Sequence, residues 1–189
     1  MADMLVSPLA HRAEDLAAVG ASTHGGVTIE EIVGLRQIDL RLAPDLADRL
    51  PFEVPLEPNT FLVADAVESL WLGPDEWLLV CPVDLGPAAV ERVEESLAGA
   101  HHSTVDVSAN RAILDIGGDG RRELLEAGCG VDLHPREWCE GRCAQTLLAR
   151  VPVILQERTN ATRVFVRPSF AAYFVDWCLV VVTNDAPGT

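Results

Sequence analysis

Four side chains able to ligate a metal fall between residues 129 and 143: Cys129, His134, Cys139 and Cys143. Zinc favours thiolate and imidazole, and its structural sites usually take them as two tight pairs. Here a single Cys-x3-Cys pair stands, Cys139 and Cys143, and Cys143 opens a strand-like run. Small buried thiols and a loop histidine account for the same residues, since free cysteine is among the most buried side chains. His101 and His102 could hold a metal or move a proton near neutral pH. Neighbours on a strand point to opposite faces, however, so their rings diverge. No Gly-x-Ser-x-Gly elbow offers a serine nucleophile. The glycine-rich run Gly117-Gly118-Asp119-Gly120 lacks the dinucleotide spacing and puts a carboxylate where a phosphate would meet a helix N-terminus. It reads as a strand-to-helix turn with Asp119 as the cap. The residues alone therefore assign no catalytic group and no cofactor or metal to this chain.

Elements must position these residues, and composition bounds them first. With 189 residues, 49% of them hydrophobic, the chain can fill one sizeable core or two small fused ones. Its 29 acidic residues exceed 14 basic ones to give a net charge of −15. All the basic residues are Arg. That balance repels a phosphate backbone and argues against a nucleic-acid partner. The absence of Lys excludes Schiff-base, Walker-A and general-base lysines. A mean hydropathy of +0.19 is high beside 23% charged residues, which suggests apolar surface covered by another chain. Met1-Ala2-Asp3-Met4 is not basic and no apolar run follows, which speaks against a secretory signal. Phe170–Val182, broken by Asp176, is too short for a membrane span. Five cysteines without an export signal suggest reduced thiols and a cytoplasmic location.

Along the chain, residues 7–19 read as a short amphipathic helix with Ser7 as cap and Pro8 at its first position. Residues 27–43 alternate as one or two strands, and four prolines make 43–59 a wrapping loop with a helical turn. AVESLWL and EWLLVC form a hairpin about Gly73-Pro74-Asp75. A helix follows from Gly86-Pro87 and stops at Gly99. The second half repeats the plan: strands HSTVDVS and RAILDIG, a helix to Ala127, strands CAQTLLARV, VILQER and TRVFVR, and a helix from Ser169 that is apolar nearly all round. Such a helix is either fully buried or packed on another chain. The fold class is α+β, with antiparallel sheets and helices in two similar halves: 1–26 a helical arm, 27–100 the first half, 101–189 the second. Trp71, Trp77, Trp138 and Trp177 serve as core or as interface anchors. Arg121, Arg122 and Arg136 are solvated or meet a partner's carboxylates.

The stretches VDVSANRAILDIGGDGRRELLEAGCGVDLHP, GRCAQTLLARVPVILQE and FVRPSFAAYFVDWCL, with the hairpin LWLGPDEWLLV, resemble the gamma subunit of heterotetrameric sarcosine oxidase from about Pro8 to Leu179. The resemblance implies a complex that oxidises sarcosine with O2 and tetrahydrofolate to glycine, hydrogen peroxide and 5,10-methylenetetrahydrofolate. It further implies alpha, beta and delta subunits as partners, and places FAD, FMN, NAD, zinc and tetrahydrofolate in those other chains. The fold it implies is that of the folate-binding aminomethyltransferase and its iron–sulfur-assembly relative. In the aminomethyltransferase an Asn-Asp pair ends the corresponding helix and its Asp is catalytic. Here Asp132 keeps the carboxylate, but Val131 replaces the Asn. The relative's Lys-Gly-Cys-Tyr-x-Gly-Gln-Glu signature leaves only Gln145, with Arg150 beyond it. Its Cys, Tyr and Glu fall on Gly141, Arg142 and Thr146. These departures favour a non-catalytic brace for alpha and beta over the alternative, a stand-alone folate-binding or aminomethyl-transfer protein centred on Asp132.

Overall fold

The structure, a computed structural model, describes residues 7–22 and 26–184. Among these, ten strands form two antiparallel five-stranded sheets. The chain divides into two compact units: 1–33, 109–140 and 145–189 make the first, and 34–108 with 141–144 the second.

The first unit's sheet runs β1 (Thr28–Glu31), β7 (Ala112–Gly117), β10 (Ala161–Val166), β9 (Val151–Glu157) and β8 (Cys143–Leu148) in spatial order. β1 lies along β7 with Thr28 opposite Gly117 and Glu31 opposite Leu114. Arg163 of β10 faces Asp115 of β7. β9 and β10 are nearly continuous apolar runs with both faces buried, as expected of strands inside a core. Helices α1 (Ala13–Ser22), α3 (Arg121–Glu126) and α4 (Pro168–Asn184) complete the unit. α1 packs on β1 and α4, and α3 on α4.

The second unit's sheet is β3 (Phe61–Ala64), β4 (Val67–Gly73), β5 (Glu76–Pro82), β2 (Leu35–Leu42) and β6 (His102–Asp106). Helix α2 (Gly86–Ser96) packs beside β6. Pro87 sits in its first turn, where the missing N–H costs nothing, and Gly99 ends the following turn at φ +78°. Its core joins Ile38, Leu40, Trp77 and Leu79 of the sheet to Val93 and Leu97, with Phe52 and Val54 from the wrapping loop.

The structure departs from the sequence expectations at several points. The halves are interleaved: β1 pairs with β7 and β6 with β2, so 27–33 joins the later residues and 101–108 the earlier ones. The first helix begins with a 3-10 turn at Ala10–Arg12, while Ser7 Oγ accepts the Leu9 amide at 3.1 Å. α3 is capped by Gly120 with no side-chain bond, so Asp119 is not the cap. Of the two readings of α4, full burial within this chain does not hold, which leaves packing on another chain. Ala171, Phe174, Val175, Cys178 and Val182 are buried, whereas Phe170, Tyr173 and Val180 face outward. No helix among the described residues is long and apolar enough to cross a membrane.

Candidate functional site

The most developed polar constellation belongs to the first unit and centres on Glu157, a carboxylate only 3% exposed at the end of β9. Trp138 Nε1–H donates to its Oε2 at 2.8 Å, Thr162 Oγ1 donates to the same oxygen, and Arg121 Nη2 donates to Oε1 at 3.2 Å. Each source has a local cause. Trp138 ends the loop of turns at His134–Trp138. Thr162 reaches inward from β10 beside Glu157, its register partner, and Arg121 opens α3. Burying a carboxylate without partners is expensive, and here both oxygens are occupied. The crevice walled by Arg121, Leu125, Leu133 and Trp138 leaves no room for a water-sized body. A partly buried ion pair lies in the same sheet: Arg163 donates through Nε and Nη2 to Asp115 at 2.8 and 3.0 Å. These groups fasten strands to a helix and loop.

The residues singled out from sequence do not converge. Asp132 is exposed, and its Oδ1 accepts the His134 amide at 2.9 Å, closing a local turn. His134 Nδ1 in turn accepts the Arg136 amide at 3.2 Å. Cys139 is exposed, while Cys143 is buried in the second unit, its thiol donating to Thr60 O at 3.1 Å. Burial pushes the Cys143 thiol up to about 12, far from the thiolate a metal or nucleophilic attack requires. Burial also raises Cys178 and Cys81. Among the described residues no three His, Cys, Asp or Glu side chains gather as a metal group. His101 is exposed. His102 is held between Ala100 O at 3.0 Å and Glu94 Oε2 at 3.1 Å. Its pKa is raised, first by the bond to the Ala100 carbonyl and against the effect of burial, with Glu94 adding to the rise.

Of the tryptophans, Trp77 is fully buried with Nε1 on Pro55 O at 2.7 Å, and Trp177 stacks on Phe174 at 5.9 Å. Arg121 meets a carboxylate of its own chain, and Arg136 is exposed. Sequence reasoning missed Glu157, Asp115 and Arg163 as partners. The available signal was a charged residue inside an otherwise apolar strand, as in Ala161–Val166.

What the surface offers instead is apolar side chains without cover. Leu56, Leu62 and Val63 are 59%, 39% and 62% exposed in the second unit, and Tyr173 and Val180 are 48% and 56% exposed in the first. Isolated exposed apolar residues are ordinary, but Leu56 and Leu62 stand in the wall of one groove, the kind of grouping found where another chain binds.

Comparison with known proteins bears on that surface. The family model described as "Sarcosine oxidase, gamma subunit family" matches residues 18–184. A sarcosine oxidase subunit gamma from Arthrobacter sp. is 34% identical over 194 residues, covering 97% of this chain and 92% of its own. Another from Corynebacterium sp. strain U-96 is 32% identical over 181 residues, covering 92% and 87%. A chain in the structure of heterotetrameric sarcosine oxidase from Corynebacterium sp. U-96, in complex with pyrrole 2-carboxylate, matches with TM-score 0.84 and 30% identity, covering 97% of both chains. Glycine cleavage system aminomethyltransferase T from Bartonella henselae matches with TM-score 0.63 at 11% identity, over 87% of this chain and 48% of that one. This last likeness is one of fold.

Proposed function

We propose, from the premise that the chain belongs to the sarcosine oxidase gamma subunit family, that it is a non-catalytic subunit bracing a heterotetrameric sarcosine oxidase. The observation that carries this reading is the end-to-end structural match to one chain of such an assembly. The uncovered apolar side chains agree with it, since an interface core needs apolar anchors. In this reading the alpha and beta subunits rest on the chain, and delta completes the four. FAD, FMN, NAD, zinc and the tetrahydrofolate site lie in those subunits. The complex works in the cytoplasm, which suits five free thiols. The reaction takes sarcosine, O2 and tetrahydrofolate to glycine, hydrogen peroxide and 5,10-methylenetetrahydrofolate. The brace orders alpha and beta so that the one-carbon intermediate stays out of bulk water, as closed sites require.

Purification of the tagged chain from its own host tests the reading. The expected product is a yellow complex carrying three further chains. Deletion of this subunit is expected to reduce both complex mass and sarcosine oxidation. Full activity in a complex of otherwise unchanged mass refutes the brace. Titration of the isolated chain with tetrahydrofolate is expected to give no heat. Saturable heat, lost on Asp132→Asn, would instead establish a folate-binding protein.

A further inference from the structure

The second unit carries an open groove of about 480 Å³ beneath the proline-rich loop. Its origin is local. Pro44 starts a 3-10 turn that ends at Arg49. Pro51 and Pro55 then deprive the chain of amide donors before it turns at Pro58-Asn59, so it cannot join the sheet as a strand. Phe52 and Val54 turn inward and are 7% and 8% exposed. Leu50, Leu56 and Leu62, the last on the edge strand β3, are left as apolar walls.

The rim is acidic. Residues 44–57 hold Asp45, Asp48, Glu53 and Glu57 against one cation, Arg49. Asp48 and Glu53 line the groove, and among the described residues neither carboxylate meets a cation. The nearby guanidinium groups are engaged elsewhere. Arg49 donates to Ser96 O at 2.8 Å and Ala98 O at 3.2 Å. Arg92 donates to Pro51 O at 3.0 Å, and Arg142 pairs with Glu57 at 3.2 Å. An apolar trough with two unpaired carboxylates at its lip is complementary to a segment that alternates apolar side chains with Arg or Lys. A second copy of this chain fits poorly, because it carries a net charge of −15 and contains no Lys.

We infer that this groove, formed by residues 47–56 and Leu62, is the docking site for a basic amphipathic segment of another subunit of the heterotetramer. The inference rests on the subunit reading above and adds to it the site and the chemistry of the partner. Apolar side chains of the segment fill the space over Phe52 and Val54, and its cations pair with Asp48 and Glu53. Such rim pairs set orientation and association rate more than affinity, so the apolar walls carry most of the binding.

The test is co-expression of all four chains with the tag on this one. Leu56→Asp with Leu62→Asp is expected to reduce recovery of the other subunits at least tenfold. Asp48→Arg with Glu53→Arg is expected to reduce it severalfold and to remove most of the salt dependence of assembly. All four positions are solvent-facing, so the variant chains keep the wild-type circular dichroism and urea midpoint. If wild-type chain recovers no other subunit, the subunit reading fails. If it recovers them and both double variants do so equally, the groove is overturned while the subunit reading stands. A photo-cross-linker at position 56 is expected to capture a peptide of another subunit with Arg or Lys beside apolar residues. Capture of a second copy, or of a peptide with no cation, overturns the inference.

Discussion

Replacing Trp138 by Phe tests whether Glu157 is a fastened carboxylate and not a spare charge. The change removes the 2.8 Å bond to Glu157 Oε2 but leaves an aromatic ring in a site only 4% exposed. Thr162 and Arg121 still hold the carboxylate, so the lost bond costs about 2 kcal/mol, within the range for hydrogen bonds to charged groups. The smaller ring leaves a void worth roughly 1 kcal/mol. The sum, about 3 kcal/mol, lowers the urea midpoint by roughly 1.5 M if the slope is about 2 kcal/mol/M. Far-UV circular dichroism is the right probe, because the substitution itself changes tryptophan fluorescence. The same substitution in a Glu157→Gln background loses only a neutral bond and costs about 2 kcal/mol, leaving a coupling near 1 kcal/mol. A cost below 1 kcal/mol for Trp138→Phe, or an equal cost in both backgrounds, refutes the argument.

The other expectations are narrower. Gly128→Ala would place a Cβ 2.6 Å from Trp177 Cζ2 and 3.0 Å from the Ala149 backbone nitrogen. It is expected to destabilise the chain by about 1–3 kcal/mol, read as a lower urea midpoint. A midpoint equal to wild type would show that the α4 ring moves freely. His102, whose folded pKa is raised, contributes stability fully present below its unfolded value and lost as pH rises through the folded one. The thermal midpoint of wild type should therefore exceed that of His102→Gln most at pH 5–6 and converge on it above neutrality. A gap that widens with pH contradicts the assignment. A maleimide added to the native chain is expected to modify exposed Cys139 first and to spare Cys143 and Cys178 until unfolding. Peptide mass mapping that finds Cys143 labelled as fast as Cys139 would disprove its burial.

The α+β class, the hairpin about Gly73-Pro74-Asp75 and the helix from Gly86 follow from alternation, a turn signal and a proline start, all written locally. The hidden elements lacked such marks. β3 is a four-residue strand whose turn into β4 uses Asp65 and Ala66 at φ 52° and 62°. The β8–β9 hairpin uses Ala149 and Arg150 at φ 51° and 67°. Two-residue hairpins of this kind ordinarily announce themselves with Asn-Gly or Asp-Gly. Without glycine the first turn goes unmarked and β3 is missed, and the second is read beyond its true place, so the strand CAQTLLARV runs through the turn at Ala149-Arg150. The exchange of β1 and β6 between sheets depends on pairing across roughly sixty to ninety positions, which no local window contains. Asp132, Cys139 and Cys143 were visible as residue types, but their separation was not. Glu157 was hidden because its partners come from a loop, a neighbouring strand and a helix start.

The path of the chain through its two units also sets the order in which it can fold during synthesis. The second unit has nearly all its residues once the ribosome has passed position 108, lacking only 141–144. The first unit opens at the N-terminus and closes at the far end. Arg12 meets Asp176 only after 164 further residues are made, a delay of roughly 8–30 s at ordinary elongation rates. Ile29, buried in the finished chain, waits for Ile116 of β7, and the face of α1 that meets α4 waits for the whole interval. The N-terminal helix and strand are thus the segment most dependent on a nascent-chain chaperone. Slowing translation anywhere between 32 and 111 prolongs the exposure of both, whereas slowing it between 118 and 167 prolongs only that of the helix face that meets α4.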